Sequence, residues 1–175
     1  RPMRTIDYKA ELRDLELARG ILRALKAMPI IRIEQRDTHF RLPDGRLMRR
    51  EARDEPAEWI FYHRADGSRP RLSTFTILSD DQARTRWGTI GLEPWLVVEK
   101  TRELWLCRAV AIVLDELPRL GRFVEINALV GPEEDLLRAH ERVADLREKL
   151  EPVLGEPISL GYADLVATER AAGAA

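Results

Sequence analysis

The chain predicts an α+β fold of about eight antiparallel strands, closed as an eight-stranded antiparallel β-barrel or stacked as a sandwich, with amphipathic helices packed on the outside, and three observations lead there. Apolar and polar residues alternate at the strand period in about eight segments, a number in the usual range for a closed or nearly closed sheet. Helix-period apolar stripes recur elsewhere and need a sheet face to cover. The polar faces of the strands carry acids and bases together, far apart along the chain.

The elements follow in order. The first strand spans 3–12, where Thr5, Asp7, Lys9 and Glu11 alternate with Ile6, Tyr8, Ala10 and Leu12. Asp14 offers an N-cap, and Leu15, Ala18, Ile21, Leu22, Leu25 and Met28 keep helical spacing until Pro29, so a helix over 15–28 is predicted. Four strands come next, at 31–42, 46–53, 58–64 and 71–78, with hairpins at Asp44-Gly45 and Asp66-Gly67, where positive φ costs little. Ser79 and Asp80 signal the cap of a short helix in the polar stretch 79–91. Strands at 95–107, 110–117 and 122–130 complete the set. Pro132 opens a helix whose stripe is Leu136, Ala139, Val143, Leu146 and Leu150, and a short helix at 162–167 closes the domain. The final Ala-Ala-Gly-Ala-Ala is expected to fray.

A chain of 175 residues can bury a sizeable core, and a single domain over 1–175 is expected. Its 29 basic and 30 acidic residues leave a formal net charge of −1, so no broad field exists to hold nucleic acid or an anionic membrane. No apolar run approaches membrane-spanning length, and neither signal peptide nor anchor is read. Cys107 stands alone, which excludes an internal disulfide and suits a reducing, cytoplasmic setting. His39, His63 and His140 lack the spacing of a zinc or catalytic cluster; His39 and His63 read as surface or core residues.

The charged strand residues of interest are Asp7, Lys9, Arg50, Arg64, Lys100, Arg102, Asp115 and Glu125. Their faces can look to water, as in an ordinary sandwich, or inward around a common tunnel, and the residues leave both arrangements open. Inward, ions need mutual pairing, water or a ligand, because desolvating each one costs several kcal/mol. A polyphosphate with a divalent metal answers that need: carboxylates are hard ligands for magnesium or manganese, and arginine and lysine neutralise phosphate oxygens. The matching chemistry is metal-assisted phosphoryl or nucleotidyl transfer. Tyr62 has the inward parity and can touch a base or ring, whereas Trp59 and Trp105 have parity opposite to Arg64 and Arg102 and are expected to pack beneath helices.

The order of these segments resembles that of CYTH proteins, the superfamily of class IV adenylate cyclases and thiamine triphosphatases, in its bacterial cyclase-like branch. The first strand of that family carries Glu-x-Glu-x-Lys, and here it reads Thr5-Ile6-Asp7-Tyr8-Lys9. Similarity continues in Gln35-Arg36-Asp37-Thr38-His39-Phe40, Gly45-Arg46-Leu47-Met48-Arg49-Arg50-Glu51, Tyr62-His63-Arg64 and Arg71-Leu72-Ser73. It goes on through Val97-Val98-Glu99-Lys100-Thr101-Arg102-Glu103-Leu104, Leu114-Asp115-Glu116, Leu120-Gly121-Arg122-Phe123-Val124-Glu125-Ile126-Asn127 and Gly161-Tyr162-Ala163-Asp164-Leu165. The resemblance implies an eight-stranded triphosphate tunnel that binds Mg2+ or Mn2+ and a phosphorylated small molecule, with phosphatase or cyclase (lyase) activity and a homodimer as one assembly. By position it implies phosphate binding by Lys9, Arg50, Arg64, Lys100 and Arg102, metal binding by Asp7 and Glu125, and catalytic roles for Lys9, Glu125 and the assisting Asp115.

The departures shape the expectation further. Met48 stands where the family has a lysine, Ala111 where it has an arginine, and Val113 where a histidine is common; Thr5 and Asn127 replace two acids. Positive and negative losses thus come together, and the lumen is partly neutral. Met48, Tyr62, Ala111, Val113 and Asn127 are the residues expected to shape the ligand. Besides the family default of triphosphate hydrolysis or ATP cyclisation, they fit a tunnel reshaped for an organic diphosphate or another larger, more apolar substrate, or a ligand-binding module without chemistry.

Overall fold

The computed structural model describes residues 2–88, 92–132 and 135–174, so the end of the polar stretch 79–91 and Ala175 lie outside the described residues. The strands are β1 (Met3–Leu12), β2 (Met28–Phe40), β3 (Arg46–Ala52), β4 (Glu58–Arg64), β5 (Arg71–Leu78), β6 (Pro94–Cys107), β7 (Val110–Leu117), β8 (Gly121–Leu129) and β9 (Leu154–Pro157). The helices are α1 (Leu15–Ala24), α2 (Asp80–Trp87), α3 (Leu136–Leu150) and α4 (Tyr162–Ala174). Strand order runs β5-β4-β3-β2-β6-β7-β8-β1, every pair antiparallel, and β1 also pairs with β5, closing an eight-stranded barrel. The short β9 adds to β1 at Ala10 and Leu12, past Asp7, where the β5 register stops.

Four boundaries differ from expectation. Helix α1 ends at Ala24 because Lys26 takes a φ of 61° and Ala27 N–H donates to the Leu22 carbonyl, turning the chain so that Met28 and Pro29 begin β2. Pro29 fits there because the β2–β6 register slips between Pro29 and Ile31, where its missing N–H costs least. Helix α3 starts at Leu136, after the Asp135 side chain caps the Arg138 N–H, and not at Pro132. Helix α4 continues through Ala174, well beyond the predicted 162–167, so residues 171–174 are helical where fraying was expected. Strand β9 was not foreseen, since Gly155 and Pro157 read as loop.

Burial settles which way the strands face. All six residues from Thr5 to Ala10 are buried, so neither face of this middle part of β1 meets water. On the outer side, Ile6, Tyr8 and Ala10 join Val124, Ile126 and Ala128 of β8 beneath Ala139, Val143, Leu146 and Leu150 of α3 and Ala18 and Leu22 of α1. Trp105 is buried in this same cluster, and Trp59 stacks on Phe40 and donates to Asp80 at the start of α2; both lie away from the lumen, as their parity predicts. The opposite faces therefore point into the barrel. At one end α4 packs across the opening, where Tyr162 and Ala163 meet Leu96, Val98, Leu117 and Phe123 in a second apolar cluster.

Candidate functional site

Inside the barrel lies a cavity of about 490 Å³. It is bounded by Thr5, Asp7 and Lys9 of β1, Asp37 and His39 of β2, Met48 and Arg50 of β3, and Glu58, Ile60, Tyr62 and Arg64 of β4. Its wall continues with Ser73, Phe75 and Ile77 of β5, Arg102 and Leu106 of β6, Ala111 of β7, Glu125, Asn127 and Leu129 of β8, and Tyr162 of α4. Of the expected residues, Lys9, Arg50, Arg64, Arg102, Asp7, Glu125, Met48, Tyr62, Ala111 and Asn127 thus converge on one space.

Three expected residues stand behind that wall. Lys100 is 3% exposed and makes a very short ion pair with Asp37, which also accepts from Arg50 Nε and Nη2 at 2.9 Å each. Asp115, 2% exposed, accepts from Arg102 Nε and Nη2 at 2.9 Å each and from the Tyr162 hydroxyl at 2.7 Å. Val113 is buried opposite Glu125 in the β7–β8 register and is not among the residues that bound the cavity.

The charges sort into tightly and loosely held pairs. Arg50 and Arg102 are gripped in two-bond forks, which fix guanidinium and carboxylate in one plane. Lys9 lies 3.4 Å from Glu125 and 3.8 Å above the Tyr162 ring. Arg64 is the least committed: its Nε donates to Ser73 Oγ at 3.1 Å, and its Nη2 stands 3.8 Å from Asp7 Oδ2.

These surroundings move the protonation equilibria. Burial works against a charged Glu125, but Lys9, Arg64 and Arg102 overcome it and hold the carboxyl at about 2. Burial likewise opposes ionised Asp37 and Asp115, and Lys100 with Arg50, and Arg102, respectively hold each below the ordinary carboxylate range. Asp7 moves the other way, raised by burial and then by the neighbouring Glu125. Burial, then Arg102 and Arg50, draw Lys100 down to about 7 against the pull of Asp37. His39, also buried, is lowered to about 4.

Sequence reasoning missed Asp37, Ser73 and Tyr162 and gave His39 no part. Parity on β2 could have found two of them, since Asp37 and His39 lie two apart and opposite Arg50 and Met48 in register. Tyr162 offers no such signal, because it enters the barrel from a helix.

A divalent metal finds hard oxygen donors here but no closed cage. Among the described residues no group of three or more His, Cys, Asp and Glu is placed to share an ion. Asp7 and Asn127 face each other across β1 and β8, and the Oδ1 atom of each is buried without a hydrogen-bond partner among the described residues. Two such orphaned acceptors beside the Glu125 carboxylate suit a magnesium or manganese ion that keeps much of its water and shares a substrate phosphate.

The PH1012 protein from Pyrococcus horikoshii OT3 superposes with a TM-score of 0.75 at 18% identity, over 92% of this chain and 98% of that one. An adenylate cyclase candidate from Vibrio parahaemolyticus gives 0.74 at 18% identity, over 93% and 97%. An adenylyl cyclase candidate from Hippeastrum, described as having a dominant triphosphatase activity, gives 0.65 at 10% identity, over 95% and 96%. At these identities the likeness concerns the fold. No curated protein matches the chain. The CYTH domain profile matches residues 3–154, which takes in all eight strands of the barrel, and the chain therefore belongs to the CYTH domain family.

Proposed function

We propose that the protein is a divalent-metal-dependent enzyme acting on a phosphorylated small molecule inside the barrel, releasing phosphate or pyrophosphate. The observation that carries this reading is the meeting of Lys9, Arg50, Arg64 and Arg102 with the orphaned oxygens of Asp7 and Asn127 around one cavity. Membership of the CYTH family supports it, and what the Hippeastrum neighbour is described as doing is consistent with it.

The phosphate-binding roles follow from how firmly each cation is held. Arg64 and Lys9, loosely paired, are free to turn to a phosphate oxygen. The forks on Arg50 and Arg102 engage Nε and Nη2, leaving each Nη1 group for the ligand while Asp37 and Asp115 keep the planes aimed. Asp7, Asn127 and Glu125 would hold magnesium or manganese, which supplies charge to offset the phosphate oxygens as negative charge builds on them. In hydrolysis the oxygen of a water bonds to phosphorus, the bond from phosphorus to the leaving oxygen breaks with its electron pair going to that oxygen, and the proton shed by the water passes to solvent. Among the described residues Asp115 hydrogen-bonds to Arg102 and Tyr162, and it is better read as a positioning residue than as a catalytic one.

Phosphate or pyrophosphate release should be assayed with Mg2+ and with Mn2+ on inorganic triphosphate, ATP, thiamine triphosphate and organic diphosphates. Removing a charge-assisted contact costs ~1.5 to 3 kcal/mol, so Arg102→Ala should lose at least roughly tenfold in kcat/KM. Glu125→Gln should do likewise, with unchanged circular dichroism. Absence of turnover on every compound with either metal would overturn the enzyme reading and leave the alternative of a binding module.

A further inference from the structure

The lumen is not uniform along its axis. Next to the α4 end lie Lys9, Glu125, Arg102 and Arg64; toward the other end, formed by the start of β1 and the end of β8, the wall turns largely apolar. Ile60, Phe75, Ile77, Leu106, Ala111 and Leu129 line that half. Register ties them together: Ile60 faces Ile77, Leu106 faces Ala111, and Ala111 faces Asn127, two residues before Leu129. Three of these side chains reach the rim and stay substantially exposed, Leu129 at 48%, Ile77 at 42% and Leu106 at 40%.

Resting on the phosphate reading above, we propose that the organic part of the ligand is a hydrocarbon group that lies along this apolar half, with its phosphate seated deeper, among Lys9, Arg64 and Arg102. Three considerations fix the substrate class and its direction. A largely apolar wall that continues into an exposed rim, broken only locally by Thr5, Asn127 and Glu58 among the described residues, gains free energy by covering, and a hydrocarbon covers it where a second or third phosphate cannot. At the mouth the exposed Glu58 lies opposite Arg50, one acid against one base, whereas Lys9, Arg64 and Arg102 gather deeper in the cavity, so the charged head goes inward. The α4 cluster of Tyr162, Ala163 and Phe123 packs over part of the far end, and the side beyond it is lined by Arg46, Arg64, Arg71 and Asp164, so a hydrocarbon chain too long for the cavity extends outward past Leu129 and Ile77. The substrate class is therefore a phosphate or diphosphate ester of an aliphatic alcohol, with tolerance for length.

Calorimetric titration with inorganic pyrophosphate, ATP, and butyl, octyl and dodecyl phosphates below their micelle concentrations tests this. Affinity should rise with chain length by up to roughly fourfold per buried methylene, and octyl phosphate should bind more tightly than ATP. Ile77→Asn and Leu129→Asn, both at exposed positions and neutral, should flatten the chain-length dependence while leaving pyrophosphate binding within about twofold. A flat dependence in the unaltered protein, with pyrophosphate binding that Arg64→Ala abolishes, would overturn the hydrocarbon proposal and leave the phosphate site standing. Tighter binding of ATP than of every alkyl phosphate would overturn it too. If no phosphate compound binds at all, the phosphate reading falls and this proposal with it.

Discussion

The α4 end and the open end of the barrel are built from the same strands yet solve opposite problems. Toward α4, charges are packed away from water and answered by partners, Arg102 by Asp115 and Lys9 by Glu125, while Asp37 answers Lys100 and, nearer the mouth, Arg50. At the open end the side chains are mostly apolar, apart from the exposed Glu58, and three large ones stand in solvent. The contrast teaches that the interior charge near α4 is already balanced by the protein, whereas apolar surface at the mouth is not. Affinity for a ligand can thus be gained at the mouth with little rearrangement, while binding at the charged end must compete with ion pairs.

The largest test of this contrast is Asp115→Ala. Removing the carboxylate leaves Arg102 charged and buried without its fork and takes the acceptor from the Tyr162 hydroxyl. A loss of roughly 3–5 kcal/mol in urea unfolding is expected, against less than about 1 kcal/mol for Leu129→Ala at the exposed rim. Equal losses would erase the distinction between the two ends.

Acid should expose the same asymmetry. In the unfolded chain a histidine titrates near the ordinary value of 6.5, but buried His39 resists its proton down to about 4. Between those values the unfolded state binds more protons than the folded one, so stability falls as pH is lowered through this window. The full effect is on the order of 3 kcal/mol. Glu125, held at about 2, adds a second loss below about 4.5. His39→Gln should flatten the unfolding midpoint between pH 6.5 and 4.5 and leave the lower limb; an unchanged slope would mean that His39 is not the group responsible.

The smallest expected effect sharpens the comparison from the ligand side. Met48→Lys with Ala111→Arg puts two cations where the wall is now neutral, which should raise affinity for inorganic triphosphate about tenfold, or ~1.4 kcal/mol, and weaken octyl phosphate. If triphosphate affinity does not move, Met48 and Ala111 do not govern phosphate preference despite lining the cavity.

Much of this was legible from residue parity. Alternation in β1 and β8 named Asp7, Lys9, Glu125 and Asn127 in advance, since a pleated strand sends alternate side chains to one face. What alternation could not decide was which face meets water; that depended on closure, a pairing of β1 with β5 across more than 60 residues of chain. Family resemblance, not spacing, supplied the tunnel. Lys100 and Val113 show the limit of parity: both point inward, but Asp37 shields one from the cavity and packing encloses the other. Tyr162 lay out of reach because a helix delivers it, and no strand rule applies there.

Strand β1 holds the barrel shut by pairing with β5, β8 and β9, all of which come after it in the chain. On a ribosome this strand emerges before any of its partners, and it must wait with unpaired backbone groups until β8 has followed. High-contact-order closure of this kind slows folding and lengthens exposure to wrong partners. Nascent chains stopped before Gly121 should therefore remain unfolded and engage chaperones.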